Sequence, residues 1–165
     1  MVDLERLREL SGITLSLEGV FLHHGAVIEN PKIQELFSQG IALNAQGRAT
    51  LTVGPQWCYI EPEDTLYVVR GMAMDKGQGP RIRLNDGTRE VLQTDTVFLT
   101  ESGALYCNVK EGRGLARFSR NAYHQISVFF EEVPGQSGIG LAVQGSSFPV
   151  PVRERDGRLV GARKP

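Results

Sequence analysis

The stretch that decides the fold is residues 21–40, FLHHGAVIENPKIQELFSQG, in which a hairpin leads directly into a capped helix. Two short apolar runs, Val20–His23 and Ala26–Ile28, predict strands that are joined by a tight turn. Asn30 then stands at the N-cap position before a proline, and Gly40 is a typical terminator. The pattern predicts a helix that packs on its own hairpin.

A second unit of the same kind occupies residues 105–131, LYCNVKEGRGLARFSRNAYHQISVFFE. The runs Thr96–Thr100 and Ala104–Val109 predict a hairpin, and the two glycines at residues 112 and 114 predict a loop. A second helix is then expected from about Ser119 to Glu131, with Pro134 as its stop. The recurrence is either a true duplication or a coincidence of two common units, and the sequence leaves both open.

Both helices are predicted to be amphipathic. In the first helix the face expected to pack on the sheet consists of Ile33, Leu36 and Phe37. The face expected in solvent consists of Lys32, Gln34 and Glu35. In the second helix the apolar stripe consists of Ala122, Tyr123, Ile126 and Phe130.

Between the two units the pattern becomes extended. Runs at Arg48–Val53, Trp57–Glu61 and Leu66–Ala73 predict an antiparallel meander, and Met74–Pro80 predicts a loop. Asn85-Asp86-Gly87 is a strong hairpin turn between two further strands. At the ends of the chain we expect a short N-terminal helix, a strand at residues 12–17, and two last strands at residues 139–143 and 148–150.

The predicted fold class is therefore α+β. We expect two similar lobes, each a small curved antiparallel sheet with one helix, plus the N-terminal helix. The predicted boundaries are residues 1–93 for the first lobe, 94–152 for the second and 153–165 for a charged, partly disordered tail. A cleft between the lobes is the expected place for a ligand or partner.

Composition excludes several classes of protein. The 165 residues carry a formal net charge of −1, which provides no overall field to attract nucleic acid. No apolar run approaches the ~20 residues of a membrane span. The charged residues among the leucines of residues 2–10 are incompatible with a signal peptide, so we expect a cytoplasmic location.

The two cysteines, Cys58 and Cys107, each lie in an apolar, strand-like run. Such thiols pack as small hydrophobic groups, and their spacing matches no zinc or redox motif. The sequence also lacks the motifs of a nucleophile elbow, a zinc protease helix and a phosphate-binding loop. We predict no catalytic residues, no metal site and no cofactor.

Several segments resemble a bacterial family, the one catalogued as domain of unknown function 1285. The resemblance lies in the runs Glu18–Ile28, Leu36-Phe37, Gly47–Leu51, Gly54-Pro55, Ile60–Asp64 and Leu115–Tyr123. It implies two similar repeats of a helix on a curved sheet, no established enzymatic activity and a suspected part in bacterial signal transduction.

The candidate binding residues lie at the start of the second helix and in an acidic turn. They are Arg117, Ser119, Arg120, Glu61, Glu63 and Asp64, with His23 as a further candidate at a strand end. The free amides of a first helical turn with two guanidinium groups could bind an anion. The alternatives are an internal ion pair with the acidic turn, a solvated surface, or a hard-cation site in that turn.

Two other features carry weaker predictions. His23 and His24 are adjacent at the end of a strand, so their rings should point to opposite faces and cannot easily chelate one ion. Trp57, Tyr59 and Tyr67 could form an aromatic platform on one sheet face, or they could pack in the core. No basic residues are interleaved with them as nucleic-acid stacking requires.

The leading hypothesis is a non-enzymatic binding or regulatory module that recognises a small anionic molecule or a protein partner in the cleft. The first alternative is a structural protein that forms a homodimer through exposed edge strands. The second is an enzyme that uses an acidic residue or a histidine of the cleft.

Overall fold

The computed structural model describes residues 3–133 and 138–156, and in these residues three α-helices and sixteen strands form four β-sheets. The fold class is α+β, as predicted. The elements of the first part of the chain are α1 (Leu4–Glu9), β1 (Ile13–Leu15), β2 (Phe21–His23), β3 (Ala26–Val27), α2 (Pro31–Gln39), β4 (Ile41–Leu43), β5 (Ala49–Val53), β6 (Gln56–Tyr59), β7 (Glu61–Pro62), β8 (Tyr67–Asp75), β9 (Gly79–Leu84) and β10 (Arg89–Val91). Those of the second part are a 3-10 turn (Thr94–Thr96), β11 (Phe98–Leu99), β12 (Leu105–Val109), β13 (Gly114–Phe118), α3 (Arg120–Ser127), β14 (Phe130–Glu132), β15 (Ile139–Val143) and β16 (Ser146–Val150).

The unit at residues 21–40 confirms the prediction. Strands β2 and β3 pair antiparallel, and α2 follows them. The Asn30 side chain accepts a hydrogen bond from the Lys32 backbone N–H at 3.0 Å, which caps the helix. Phe37 packs edge-on against Phe21 with ring centroids 5.5 Å apart. The local signals of capping and turn chemistry therefore placed this helix correctly.

The predicted faces of α2 are partly wrong. Gln34, expected in solvent, turns inward: its side-chain oxygen accepts from the Phe21 N–H at 2.9 Å, and its NH₂ group donates to the carbonyls of Phe21 and Ile28. Ile33 and Leu36, expected to pack, remain 37% and 49% exposed. The helix lies against backbone polar groups, and an amide satisfies these groups where an apolar side chain cannot.

The largest sheet has six strands in the order β10-β9-β8-β13-β12-β11. Each outer group of three is antiparallel, and the groups join where β8 and β13 pair in parallel. The predicted turn at residues 85–87 is confirmed: it joins β9 to β10, with Gly87 in the left-handed conformation at φ 84°. Val69, Ile82 and Leu105 of this sheet are buried in the core.

Two predictions for the middle of the chain are corrected by this sheet. Only the first two runs of the predicted meander pair with each other, as β5 and β6, in a sheet of order β4-β5-β6. The third run, β8, belongs to the six-stranded sheet, since burial on both faces of Tyr67–Val69 suits a central strand. The predicted loop at residues 74–80 is a tight hairpin instead, because β8 and β9 stay paired out to Asp75 and Gly79.

The predicted loop around residues 112–114 also ends earlier than expected. Gly114 begins β13, which lies between β8 and β12. A Cβ atom at Gly114 would lie 2.8 Å from the Tyr67 ring, so this glycine permits close approach of the ring. Sequence reasoning read it as a loop signal, whereas it marks a packed strand.

The second helix is shorter than predicted. The helix observed, α3, is capped by Ser119 and ends at Ser127. The residues predicted as its last turn, Phe130–Glu132, form the strand β14 instead. Pairing of β14 with β15 overrides the local helical pattern. Ala122 and Ile126 of the predicted stripe are buried, and the Tyr123 and Phe130 rings still meet at 6.5 Å. The predicted stop at residue 134 lies outside the described residues.

The division at residue 93 and the two-lobe description stay predictions. The six-stranded sheet takes β8, β9 and β10 from the first predicted segment and β11, β12 and β13 from the second. The two remaining sheets have the orders β3-β2-β1-β7 and β14-β15-β16. Among residues 3–133 and 138–156, no helix combines the length and apolar character that a membrane crossing requires.

The beginning of the predicted tail is part of the folded structure and pairs with strand β11. The Leu99 N–H donates to the Pro151 carbonyl at 2.9 Å, and the Arg153 N–H donates to the Leu99 carbonyl at 2.7 Å. Residues 151–153 therefore extend the six-stranded sheet at its β11 edge, while the tail prediction for residues 157–165 lies outside the described part of the chain.

Candidate functional site

Asp64 is the centre of a polar cluster that joins the two predicted segments. Its carboxylate accepts hydrogen bonds from the Tyr106 hydroxyl at 2.5 Å and from the Arg117 guanidinium at 3.0 Å. Arg155 donates to the other carboxylate oxygen and to the Asp64 carbonyl. Tyr106 and Arg117 are direct cross-strand partners on β12 and β13, so their side chains share one face. These four residues are called the Asp64 cluster below.

The cluster keeps Asp64 ionised. Burial raises the pKa of the Asp64 carboxyl, but hydrogen bonds from Tyr106, Arg155 and Arg117 outweigh burial and hold this pKa below its ordinary value. Burial also raises the pKa of Tyr106, and the Asp64 carboxylate raises it further. At neutral pH one carboxylate therefore faces two guanidinium groups and a neutral phenol, which leaves the cluster with a net positive charge.

The amino end of α3, the predicted anion site, contacts groups of the chain itself. The Ser119 hydroxyl oxygen accepts a hydrogen bond from the Ala122 N–H at 3.2 Å. The Arg120 N–H donates to both carboxylate oxygens of Glu18, at 3.2 and 3.3 Å. Glu18 thus supplies the negative charge that the positive end of the helix favours. Sequence reasoning missed Glu18 because 102 positions separate it from Arg120.

The other two carboxylates of the acidic turn do not join the Asp64 cluster. Glu61 lies 3.9 Å from an Arg48 nitrogen, and its side chain is 77% exposed. A carboxylate oxygen of Glu63 accepts a hydrogen bond from the Leu17 N–H at 3.3 Å. Of the alternatives weighed for Arg117, an ion pair with the acidic turn is thus present, through Asp64 alone.

The prediction that the His23 and His24 rings point to opposite faces is wrong. Their ring centroids lie 4.2 Å apart. His24 adopts φ 47° and leaves the strand alternation, and its ring lies over Gly12, where a Cβ atom would come within 2.3 Å. His23 itself lies on β2, outside the Asp64 cluster. Among the described residues, no group of three or more metal-ligating side chains comes together.

The predicted aromatic platform is divided between two sheets. Trp57 and Tyr59 meet edge-on at 5.2 Å on β6, whereas Tyr67 is buried in the six-stranded sheet. Basic residues do cover the first two rings, since Arg8 lies 4.1 Å from the Trp57 centroid and Arg48 lies 3.6 Å from that of Tyr59. They come from α1 and from the residue before β5, so spacing within β6 could not reveal them.

A recess of about 440 Å³ opens beside the Asp64 cluster. The charged residues of its wall are Arg113, Arg153, Arg155, Asp95 and Asp156. The Nε atom of Arg153 is buried and has no hydrogen-bond partner among the described residues. A second recess of about 370 Å³, between Arg48 and Leu115, shares Arg155 with the first. Sequence reasoning assigned both Arg153 and Arg155 to a tail and had no signal that would place them here.

Comparison with known proteins gives structural matches. No protein-family model matches the sequence. No curated protein matches it either.

Two solved structures share the fold. The first is a DUF1285 family protein from Silicibacter pomeroyi DSS-3, with a TM-score of 0.62 and 19% sequence identity over 84% of this chain and 79% of that one. The second is a DUF1285 family protein from Shewanella baltica OS155, with a TM-score of 0.56 and 13% identity over 72% of this chain and 92% of that one. The resemblance read from the sequence is therefore confirmed in three dimensions, and the chain has the fold of the DUF1285 family proteins.

Proposed function

We propose that the protein is a non-enzymatic binding module that receives an anionic group of a small molecule or of a partner segment in the recess beside the Asp64 cluster. The observation that carries the proposal is that Arg153, which lines the recess, has a buried Nε without a hydrogen-bond partner among the described residues. A buried donor without an acceptor costs about 1–3 kcal/mol. A bound anion that draws the Arg153 guanidinium toward the recess would give this Nε–H an acceptor.

Charge supports the same conclusion. Two guanidinium groups share the single carboxylate of Asp64, and three arginines face two aspartates in the recess wall, so the positive charges outnumber the negative ones there. Arginine binds carboxylate and phosphate oxygens through paired N–H groups. An anion between Arg153 and Arg155 would complete the set of hydrogen bonds that the chain leaves open.

The chemistry of the buried thiol argues for binding over catalysis. Burial raises the pKa of the Cys107 thiol above its ordinary value, so this group stays protonated and is a poor nucleophile. The Asp64 carboxylate is already engaged by three side chains and is not poised as a base. Occupancy of a recess that the second predicted segment forms together with residues 153–156 would suit a regulatory role in signalling.

The test is isothermal titration with inorganic phosphate and, separately, citrate. We expect binding in the wild type and a loss of affinity of roughly tenfold or more in Arg153→Met, which keeps the apolar stem but removes the donors. Arg6→Ala on α1 makes the same change in net charge and should bind as the wild type does. If neither anion binds, or if Arg153→Met binds both normally, the proposal is wrong.

A further inference from the structure

We propose a second, separate anion site, which binds a phosphate group in a groove between the exposed face of β8, β9 and β10 and the side of α3. The groove encloses about 560 Å³, and its polar wall includes Arg81, Arg83, Arg89, Asn121 and Gln125. None of these residues lines the recess beside the Asp64 cluster. We call this region the arginine groove.

The strand register places the arginines side by side. One row of residues across β8, β9 and β10 consists of Gly71, Arg83 and Arg89. The next row on the same face begins with Ala73 and Arg81. A β-bulge between Val69 and Gly71 shifts the face of β8 at this point. Small residues therefore lie below the guanidinium groups, and a bulge that re-aims side chains in this way is typical of functional sites.

The charge of the groove is unbalanced. Arg83 and Arg89 are direct cross-strand partners, and like charges in that position repel each other. Neither forms an ion pair with a carboxylate in the described part of the chain. Arg81, by contrast, lies 3.3 Å from Asp75 and donates to Gln78. Two adjacent positive charges are thus left for a ligand to neutralise.

Gln125 adds an oriented donor beside the arginines. Its side-chain oxygen accepts a hydrogen bond from the Met72 N–H at 2.7 Å, which fixes the amide. Gln125 lines the groove, and its NH₂ group is a donor that a ligand there could use. A Cβ atom placed on Gly71 would lie 3.5 Å from an Arg83 nitrogen and 3.7 Å from the Gln125 oxygen. The Arg83 guanidinium and the Gln125 side-chain oxygen therefore both lie close to Gly71 on this face.

These donors suit a phosphate group better than a carboxylate. A phosphate monoester carries close to two negative charges at neutral pH and offers three acceptor oxygens. Arg83, Arg89 and Gln125 can each take one of these oxygens, whereas a planar carboxylate is satisfied by a single guanidinium fork. Met72 and Met74 also line the groove, whose volume leaves room for the remainder of a phosphorylated small molecule.

The test compares two phosphate probes by calorimetric titration at low salt. Inorganic phosphate and glycerol 3-phosphate should both bind, and the ester should bind more tightly if the remainder of the ligand contacts the groove. Arg83→Ala and Arg89→Ala should each weaken binding roughly 10- to 100-fold. Arg6→Ala is the matched control for the loss of one positive charge.

Gln125→Glu is the decisive variant, because the glutamate keeps the acceptor for the Met72 N–H and introduces a carboxylate next to Arg83. It should abolish phosphate binding at the groove and raise the midpoint of thermal unfolding of the free protein. Loss of binding together with a lowered midpoint would contradict the proposal, since it would show damage to the fold instead of an occupied site.

The two proposed sites are distinguishable. Phosphate binding that falls in Arg153→Met but is unchanged in Arg83→Ala would overturn the groove and keep the recess, and the reverse result would do the opposite. Binding of a short oligonucleotide without binding of either phosphate probe would make the groove a nucleic-acid surface and would also contradict the proposal. If none of the probes binds to the wild type, the groove proposal is wrong.

Discussion

Arg117 and Arg83 lie on the same six-stranded sheet but have opposite surroundings. Arg117 has a tyrosine as its cross-strand partner, and the Asp64 carboxylate lies 3.0 Å from its guanidinium. Arg83 has Arg89 as its cross-strand partner and no carboxylate partner in residues 3–133 and 138–156. An arginine therefore forms a structural ion pair at position 117, whereas the arginine at position 83 keeps a charge that no described carboxylate neutralises.

This difference distinguishes charged residues that stabilise the fold from charged residues that are available to bind a ligand. A cation whose counter-charge comes from the chain contributes to folding, and removing the counter-charge should destabilise the protein. A pair of like charges without a counter-charge lowers stability, and under our proposal a ligand outside the chain supplies that counter-charge. Substitutions in the two regions should therefore have effects of opposite sign.

The largest expected effect is that of Asp64→Ala. The change removes the common acceptor of Tyr106, Arg117 and Arg155 and leaves two guanidinium groups facing each other. We expect the free energy of unfolding to fall by about 2–4 kcal/mol, measured by urea denaturation. Glu61→Ala in the same turn is the control and should change stability by less than about 0.5 kcal/mol. Equal effects would remove the distinction between the two regions.

Acid should weaken the Asp64 cluster before it affects the arginine groove. The folded-state pKa of Asp64 lies below its ordinary value. Its stabilising contribution is therefore fully present above the unfolded pKa of about 3.9 and is lost as the pH falls through the lower, folded value. Unfolding experiments from about pH 5 down to pH 2 should show a steeper loss in the wild type than in Asp64→Asn. Parallel curves would contradict this account of the cluster.

Glu18→Ala tests the helix terminus that lies near Arg117 in sequence. The change removes the acceptor of the Arg120 N–H and the negative charge at the positive end of α3. The expected loss is about 0.5–1 kcal/mol in thermal or urea unfolding, and it should shrink at high salt. Glu35→Ala on α2, an exposed carboxylate without such a contact, is the matched control. A salt-independent loss would point to packing instead of charge.

The smallest expected effect, and the one of opposite sign, is that of Arg83→Ala on the free protein. Removing one of two opposed arginines relieves repulsion, so stability should stay within about 0.5 kcal/mol of the wild type and shift toward a gain. Denaturation at low salt is the appropriate measurement. A clear loss of stability would mean that Arg83 is structural after all, and the comparison with Arg117 would collapse.

Local signals allowed part of this fold to be predicted. The turn at residues 85–87 and the caps Asn30 and Ser119 were read correctly, because turn and capping chemistry act within a few residues. The same turn also implied that Arg83 lies opposite Arg89, a signal that sequence reasoning left unused. A three-residue hairpin loop fixes its register, so these arginines could have been found without coordinates.

The contacts between residues that are distant in sequence could not be predicted in the same way. Gly114 resembled a loop residue because only its contact with the Tyr67 ring explains it. Glu18 and Arg155 resembled ordinary surface residues, since each meets its partner across a long stretch of chain. The parallel pairing of β8 with β13 has no signature in either strand alone.

The sequence by itself determined the short-range elements, the α+β class and the family of folds, because hydrogen bonding in turns, caps and hairpins is settled between near neighbours. Tertiary structure alone decided which charges are neutralised and which remain open. Asp64 meets Arg117, and Arg83 has no carboxylate partner in the described part of the chain, because the order of the strands decides which distant residues come together. Electrostatic pairing depends on distance in space, and only the folded sheet sets that distance.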